Sequence, residues 1–411
     1  MQRRLQVNND LSRPPPCHAD RGGFELYTVP MSQTPAQKKI LDAFKKTGAR
    51  IETKTRVKLK KKADLSLYYT PGVGVASLHL SKHPKDTKNL SVKKNSVAVI
   101  SDGSAVLGLG NIGPYGALPV MEGKALIFKE LAGIDAWPIV LDTQDPEEII
   151  RTIIAIAPAW GGINLEDIAA PQCFEIERRV NEALDIPVMH DDQHGTAIVV
   201  LAGLINAAKV VKKDLKKMRM IISGAGAAAT AVGKLLIISG VKDIIFLDRE
   251  GTIYAGRKKH MNIYKKELAS ISNPQKVKGG LAEAIAGGDV FIGLSGKGLL
   301  HEDHVRLMAP DAIIFALANP EPEILPPAAK HAGARVIATG RSDFPNQINN
   351  VLVFPGVFRG ALDNNVKNIT TKMKIEAAKA LASLVSKPTV DKIIPDVFDK
   401  RVVHTVARAI R

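Results

Sequence analysis

A chain of 411 residues, 45% hydrophobic and 24% charged, is long enough for two packed domains and has ordinary globular composition. Wholesale disorder, a collagen-like repeat and a disulfide-stapled scaffold are thereby excluded, and without an uncharged apolar run of about 18 residues no membrane-spanning helix is expected. The net charge of +16 raises nucleic-acid binding, but most of the excess sits in residues 38–62 and 82–94, which read as solvated basic faces.

Residues 1–30 contain Pro14-Pro15-Pro16 and scattered charge without apolar periodicity, and read as a flexible tail, with Met31 a second candidate start. Cys17 and Cys173 are too distant in sequence to form a disulfide framework, which fits a reducing cytoplasm. Further on, Tyr69-Thr70-Pro71-Gly72 places a phenol at a Pro-Gly turn. From about residue 96 the chain alternates short apolar runs with helical patterns. Strands are expected at Ser96–Ser101, Trp137–Asp142, Ile186–His190, Met218–Ser223, Asp243–Asp248, Asp289–Ser295 and Ala312–Ala318, with a helix over Pro146–Ala157. These runs are Val/Ile-rich and continuous rather than alternating, as in parallel sheets covered on both faces, so the fold class is α/β.

Between those strands lie groups able to move protons and hold a cation. Lys124, in Met121-Glu122-Gly123-Lys124, precedes an apolar stretch. A lysine in an apolar cleft near a bound metal can lose its proton near neutral pH, because burial and nearby positive charge disfavour the ammonium, so Lys124 and Tyr69 are candidate base and acid. Leu165-Glu166-Asp167 and His190-Asp191-Asp192-Gln193-His194 are acidic clusters at the carboxyl ends of strands, where ligand crevices of open α/β sheets lie. Converging carboxylates need a divalent cation, and oxygen ligands point to Mg²⁺ or Mn²⁺. His190 and His194 stand four apart and are read as structural rather than as ligands.

Residues 218–234 carry a dinucleotide fingerprint, a strand leading into Gly224-Ala225-Gly226-Ala227-Ala228-Ala229 and then a helix. Gly224 permits the tight turn, Gly226 the close approach of a pyrophosphate, and Ala229 the packing of helix on sheet. Asp248 ends the next strand, 24 residues after Gly224, where a ribose hydroxyl partner belongs. Its charge favours NAD over NADP, while Arg249, Arg257, Lys258 and Lys259 offset that preference.

Together these segments resemble the malic enzymes, specifically the short bacterial type, from about residue 35 to the C-terminus. Besides those quoted, the resemblance rests on Ser101-Asp102-Gly103 through Leu107-Gly108-Leu109-Gly110, on Leu317-Ala318-Asn319-Pro320 and on Asn349-Asn350-Val351. It implies metal-dependent oxidative decarboxylation of (S)-malate to pyruvate and CO₂ with reduction of NAD⁺ or NADP⁺. Glu166, Asp167 and Asp192 would bind the metal, Lys124 would take the C2 hydroxyl proton, and Asp191 would support the acid/base pair. Tyr69 would protonate C3 of the enolate, and Asn319 and Asn350 would contact cofactor and substrate. Ala105 stands where longer malic enzymes carry an arginine, so the substrate carboxylate would be held by amides, backbone groups or another cation.

The resemblance also implies a catalytic α/β domain over 31–192, a Rossmann-like doubly wound domain with a helical C-terminus over 193–411, and a homodimer or larger homo-oligomer. Another two-domain nicotinamide dehydrogenase would share the glycine turn but not both acid clusters with Tyr69 and Lys124. A nucleic-acid-binding protein would rest on the basic stretches alone.

Overall fold

A computed structural model describes residues 34–411; the tail predicted over residues 1–30, Cys17 and the alternative start at Met31 lie outside the described residues. The chain divides into two compact units, one ending at Ala49 and one spanning Arg50–Arg411. In the first, the helix Pro35–Thr47 begins with a reciprocal cap: the Gln37 N–H donates to the Thr34 hydroxyl, and the Thr34 N–H to the Gln37 side chain.

The second unit carries two sheets. The strands are β1 Ser96–Ser101, β2 Asp135–Val140, β3 Gly162–Leu165, β4 Val188–His190, β5 Arg219–Ser223, β6 Asp243–Asp248, β7 Gly251–Thr252, β8 Val290–Gly293, β9 Ile313–Ala316 and β10 Val336–Thr339. One sheet runs β2-β1-β3-β4, entirely parallel; the other runs β10-β9-β8-β5-β6-β7, parallel except for β7. In the second sheet the chain goes from β5 to β6 on one side and returns to β8 on the other. A crevice therefore opens where these connections diverge, at the carboxyl ends of β5 and β8.

Every predicted strand is present with ends shifted by a few residues, and the predicted helix spans Pro146–Ile156. Three strands were not among those predicted. β3 was implied only by the acids at its end, β7 has two residues, and β10 is a four-residue run between small residues, too short for periodicity to register.

The continuous apolar character of the strands has the expected cause. In β1, Val97 and Val99 face a core built with Met121 and Phe128 of the helix Gly113–Ala132, whereas Ala98 and Ile100 face one built from Ile149, Ile153 and Ile176. Neighbouring side chains point to opposite faces, and both faces are covered. β5 repeats this, with Met220 and Ile222 on one face and Ile221 on the other.

One core spans both sheets, and the helix Asp191–Val210 runs through it with fourteen of its twenty residues buried. A helix apolar on all sides can serve as a shared spine. Its first turn begins directly after β4, so the acids at its N-terminus are anchored by a largely buried helix.

Gly233, in the helix Ala227–Ile238, is buried where an added Cβ would overlap the ring of Phe246, itself fully buried. Helix propensity alone favours Gly233→Ala by about 1 kcal/mol, whereas overpacking costs about 1–3 kcal/mol. Urea unfolding of Gly233→Ala is expected to show a net loss of stability. A gain would mean that the Phe246 ring shifts freely.

Candidate active site

β3 and β4 are paired in register, Leu165 opposite His190, so the residues that follow them, Glu166 and Asp191, emerge side by side. Asp167 and Asp192 come next. One oxygen from each of Glu166, Asp167 and Asp192 lies within 4.8 Å of the others. The turn that allows this puts Asp167 at φ +54°, a left-handed conformation that aspartate tolerates better than most residues. Its N–H donates to Asp192 Oδ2 at 2.8 Å, and its Oδ1 accepts from Leu107 N–H at 3.1 Å.

Lys124 reaches this cluster from the helix Gly113–Ala132. It is 8% exposed, its Nζ hydrogen-bonds to Asp191 Oδ2 and lies 2.9 Å from Glu166 Oε1, and it stands 4.2 Å from the centre of the Phe354 ring. The other Glu166 oxygen accepts from Asn164 Nδ2 at 2.9 Å.

Carboxylates dominate the electrostatics of Lys124. Burial does act against the ammonium, but the charges of Asp191, Glu166 and Asp192 outweigh it and hold the pKa above that of an ordinary lysine. The sequence reading placed a bound cation beside Lys124, and these same carboxylates are the groups that could hold one. Burial raises Glu166 well above the usual carboxylate range; Lys124 opposes this, and the neighbouring Asp192, Asp191 and Asp167 add to it. Asp167 is pushed up to about 7, by burial and then by the charge of Asp192.

Three buried or half-buried carboxylates thus face one another, and the second oxygen of Asp167 is buried without a hydrogen-bond partner. Such an all-oxygen set with an unused buried lone pair fits a hard divalent cation. His190 is not part of it. The ring is fully buried with neither nitrogen hydrogen-bonded, and Nε2 lies 3.4 Å from Asp192 Oδ2.

At the second site, Gly224 follows β5 at φ +130°, where a Cβ would lie 2.6 Å from the Leu294 carbonyl oxygen after β8. Gly226 is the N-cap of the helix Ala227–Ile238, with no atom within 4 Å of an added Cβ, so the side from which a phosphate would approach is open. Ala225 and Ala228 are half-buried in this turn and first helical turn, and Ala229 packs inward. Asp248 ends β6 as expected, but both its oxygens are engaged. Arg257 Nη2 approaches them at 2.8 and 2.7 Å, and Lys265 Nζ reaches Oδ2 at 2.7 Å. Of the basic residues read after Asp248, Arg257 is the one that pairs with it; Lys265, on the following helix, was not foreseen.

The two halves of the site meet at glycines. A Cβ on Gly195 would overlap Asp191 Oδ1 and lie 3.1 Å from the Asn350 Cβ, so the missing side chain brings Asn350 beside the Lys124–Asp191 pair. Gly108 likewise packs directly on the backbone oxygen of Asn319. Tyr69 is not brought into the cluster. It is 64% exposed at the end of the helix Lys62–Tyr68.

Residues 48–181 match the malic enzyme N-terminal domain, and residues 193–411 the malic enzyme NAD binding domain. The chain belongs to the malic enzyme family. It is 54% identical to the NAD-dependent malic enzyme of Geobacillus stearothermophilus over 88% of this chain and 76% of that one. To the bifunctional malic/malolactic enzyme of Bacillus subtilis it is 50% identical, over 90% and 91%. The crystal structure of the Thermotoga maritima NAD-dependent malic enzyme superposes with a TM-score of 0.87 at 44% identity, covering 90% of this chain and 98% of that one.

This malic enzyme also contains supporting groups to which the sequence reading gave no role. Glu177, on the helix Gln172–Ala183, accepts hydrogen bonds from the His190 N–H at 2.8 Å and Gln193 Nε2 at 2.9 Å, and His194 Nε2 lies 3.0 Å away. It ties down the junction of β4 with the following helix, on which Asp191 and Asp192 sit, and turns His194 away from the acids. Asp102 is buried with Oδ1 accepting from the N–H and the hydroxyl of Ser104, while the Ser104 Oγ accepts from Ala169 N–H. The fully buried Glu323 accepts from the N–H groups of Ser295 and Ala318, next to Asn319. Asp102 lies in the quoted Ser101–Gly110 segment, whereas Glu177 and Glu323 stand among other charged residues, Glu175 and Arg178 beside the one and Glu321 near the other, and carry no sequence signal.

Burial alone would raise Glu177, but the charge and hydrogen bond of His194, with Lys374 and His190, outweigh it and hold the carboxyl at about 2. Because this folded value lies below the unfolded one, the contribution to stability is complete above about pH 4.3 and is lost as pH falls towards 2. Glu177→Gln is expected to flatten the acid limb of stability against pH, by about 3 kcal/mol relative to the parent between pH 5 and 2. Parallel curves for the two proteins in urea unfolding would remove the clamp assignment.

Proposed function

We propose that this site oxidatively decarboxylates (S)-malate to pyruvate and CO₂ with reduction of NAD⁺ or NADP⁺. The observation that carries the reading is Lys124, a buried ammonium wedged between Asp191 and Glu166 at the edge of the Glu166–Asp167–Asp192 oxygen cluster. Malate offers one hydroxyl to a base and adjacent oxygens to a cation, which is what this juxtaposition accommodates.

Glu166, Asp167 and Asp192 would hold Mg²⁺ or Mn²⁺. Bound there, the ion supplies Lewis acidity at the C2 oxygen, as the nicotinamide supplies the hydride acceptor. With Glu166, Asp167 and Asp192 neutralised as ligands, burial counts against the Lys124 ammonium with Asp191 as its remaining counterweight. Lys124 then takes the C2 hydroxyl proton, and Asp191 holds the amine in place. Asn350, next to Asp191, donates and accepts towards the substrate, and Asn319 does so towards the cofactor. Gly224, Ala225, Gly226, Ala227 and Ala228 form the pyrophosphate turn.

Tyr69 is the donor to C3 of the enolate, and its exposure in its own chain is reconciled with that role by a homodimer in which it enters the neighbouring site. The apolar face it shares with Leu67, Val75 and Leu78, 61, 74 and 67% exposed, is suited to such an interface. The working division is a catalytic domain over 31–192 and a dinucleotide domain over 193–411, supported by the separate family matches to 48–181 and 193–411. No described helix is long and apolar enough to cross a membrane, and a cytoplasmic location suits the buried free thiol of Cys173.

The test is reduced-nicotinamide absorbance with (S)-malate and Mn²⁺, NAD⁺ and NADP⁺ in turn, with pyruvate measured in the same tube. Metal-dependent signal with stoichiometric pyruvate is expected; signal with oxaloacetate and no pyruvate would remove the decarboxylation roles. Lys124→Ala should lower kcat by about 10²–10⁴-fold while dinucleotide binding, followed by fluorescence, is retained. Near-normal turnover would exclude Lys124 as the base.

Asp248 disfavours a 2′-phosphate, but Arg257 and Lys265 already neutralise much of its charge, so NAD is only slightly preferred. Asp248→Ala releases both cations and should move the kcat/KM ratio towards NADP⁺ by about tenfold, about 1.4 kcal/mol. An unchanged ratio would place the cofactor preference elsewhere.

A further inference from the structure

The catalytic acids occupy the carboxyl ends of β3 and β4. At the opposite, amino ends of β1, β3 and β4 lies a second cavity of about 400 Å³. Its walls include Lys93 and Lys94 just before β1, Gly161 before β3, Pro187 before β4, and Arg359 of the helix Phe354–Asp363. Three of the lysines that line it, Lys88, Lys93 and Lys94, come from the basic stretch 82–94, which the catalytic reading leaves unexplained.

Its charges are not balanced from within. Asp363 is the one acid in the lining, and Arg359 already holds it at 2.6 Å. Arg56 is paired outwards with Asp135 at 2.8 Å. Among the described residues none of the three lysines forms an ion pair; the carboxylate whose charge Lys88 meets, Asp185, is already held by Lys367 at 2.9 Å. Among the described residues Lys88 makes a single 3.4 Å hydrogen bond to Asn365 Oδ1, Lys93 reaches the carbonyls of Ala157 and Pro158 at 3.4 and 3.2 Å, and the Lys94 side chain makes no hydrogen bond or ion pair. Partial burial, and then the charge of Lys88, hold the Lys93 ammonium below the usual lysine value, so the unrelieved repulsion is felt at these side chains.

A concave surface of one sign focuses its field on an incoming counter-charge, and a volume of this size matches a small ligand. We propose that this cavity is a binding site for a small anion bearing two or more phosphate groups. Three ammonium groups without an ion pair among the described residues match the charge of a di- or triphosphate better than that of a dicarboxylate, and lysine binds phosphate as a compact point charge. The lining has no aromatic ring on which a base could stack, so recognition is of the phosphates rather than of a nucleic acid. The helix that carries Arg359 at this cavity also carries Phe354 against Lys124, so an occupant touches an element that walls the active site.

The experiment is isothermal titration of the full chain with tripolyphosphate in metal-free buffer, sulfate holding the ionic strength constant. Saturable binding is expected, weakened at least tenfold in the triple variant Lys88→Gln/Lys93→Gln/Lys94→Gln. It should stay within twofold in Lys39→Gln/Lys45→Gln/Lys46→Gln, which removes equal charge from the other basic stretch. Lys94→Gln alone, at an exposed and unpartnered side chain, should weaken binding about threefold and decides the matter should the triple variant not fold. Absence of saturable binding, equal weakening in both triple variants, or full binding in Lys94→Gln and the cavity triple variant would each overturn the proposal. The last outcome would place the anion at the glycine turn.

Discussion

The ion pair between Lys124 and Asp191, shared with Glu166, is the contact on which the active site depends. Burying a charge costs several kcal/mol unless it is paired, and here one ammonium stands among four acids. The single cation stabilises the two acids it touches and leaves Asp167 and Asp192 to repel each other. The carboxylates outnumber the cation that faces them, and their charge favours the protonated form of Lys124. Under the proposed function, a cation held by Glu166, Asp167 and Asp192 would shift that balance towards the neutral amine, because the same carboxylates face Lys124.

Holding those groups in place is the work of rigid elements. β3 and β4 set Glu166 beside Asp191 through their register, and the buried helix that begins at Asp191 extends that rigidity into the second sheet. Glu177 secures the junction from behind by accepting hydrogen bonds from both the backbone and a side chain there. Glycine does the remaining positioning. Gly195 lets Asn350 approach Asp191, and Gly108 lets the loop after β1 lie on Asn319. Elements more than a hundred residues apart are brought to one point because no side chain intervenes.

Much of the architecture was legible before any coordinates. Parallel strands covered on both faces must be apolar at every position, so runs such as Val97–Ile100 and Ile244–Leu247 announce themselves. The glycine turn was legible for a related reason, since the φ of +130° at Gly224 excludes most other residues. Acids at strand ends stood out because carboxylates are costly next to such runs. Less visible were β10, too short for a pattern, and Lys265, which meets Asp248 only because the next helix folds back over β6.

By itself the amino-acid order determined the α/β class, the dinucleotide turn and the set of residues with chemistry to offer, because each is a local property of residue type and spacing. Only the tertiary structure decided how their charges combine. Lys124, read as a base beside a bound cation, is paired with Asp191 and Glu166; Asp248, read as a ribose partner, is clasped by Arg257 and Lys265. Tyr69, equal to the others as a motif, stands apart from the cluster and exposed. Electrostatic energy depends on separation through space, and residues distant along the chain acquire their neighbours only when the sheets and helices pack.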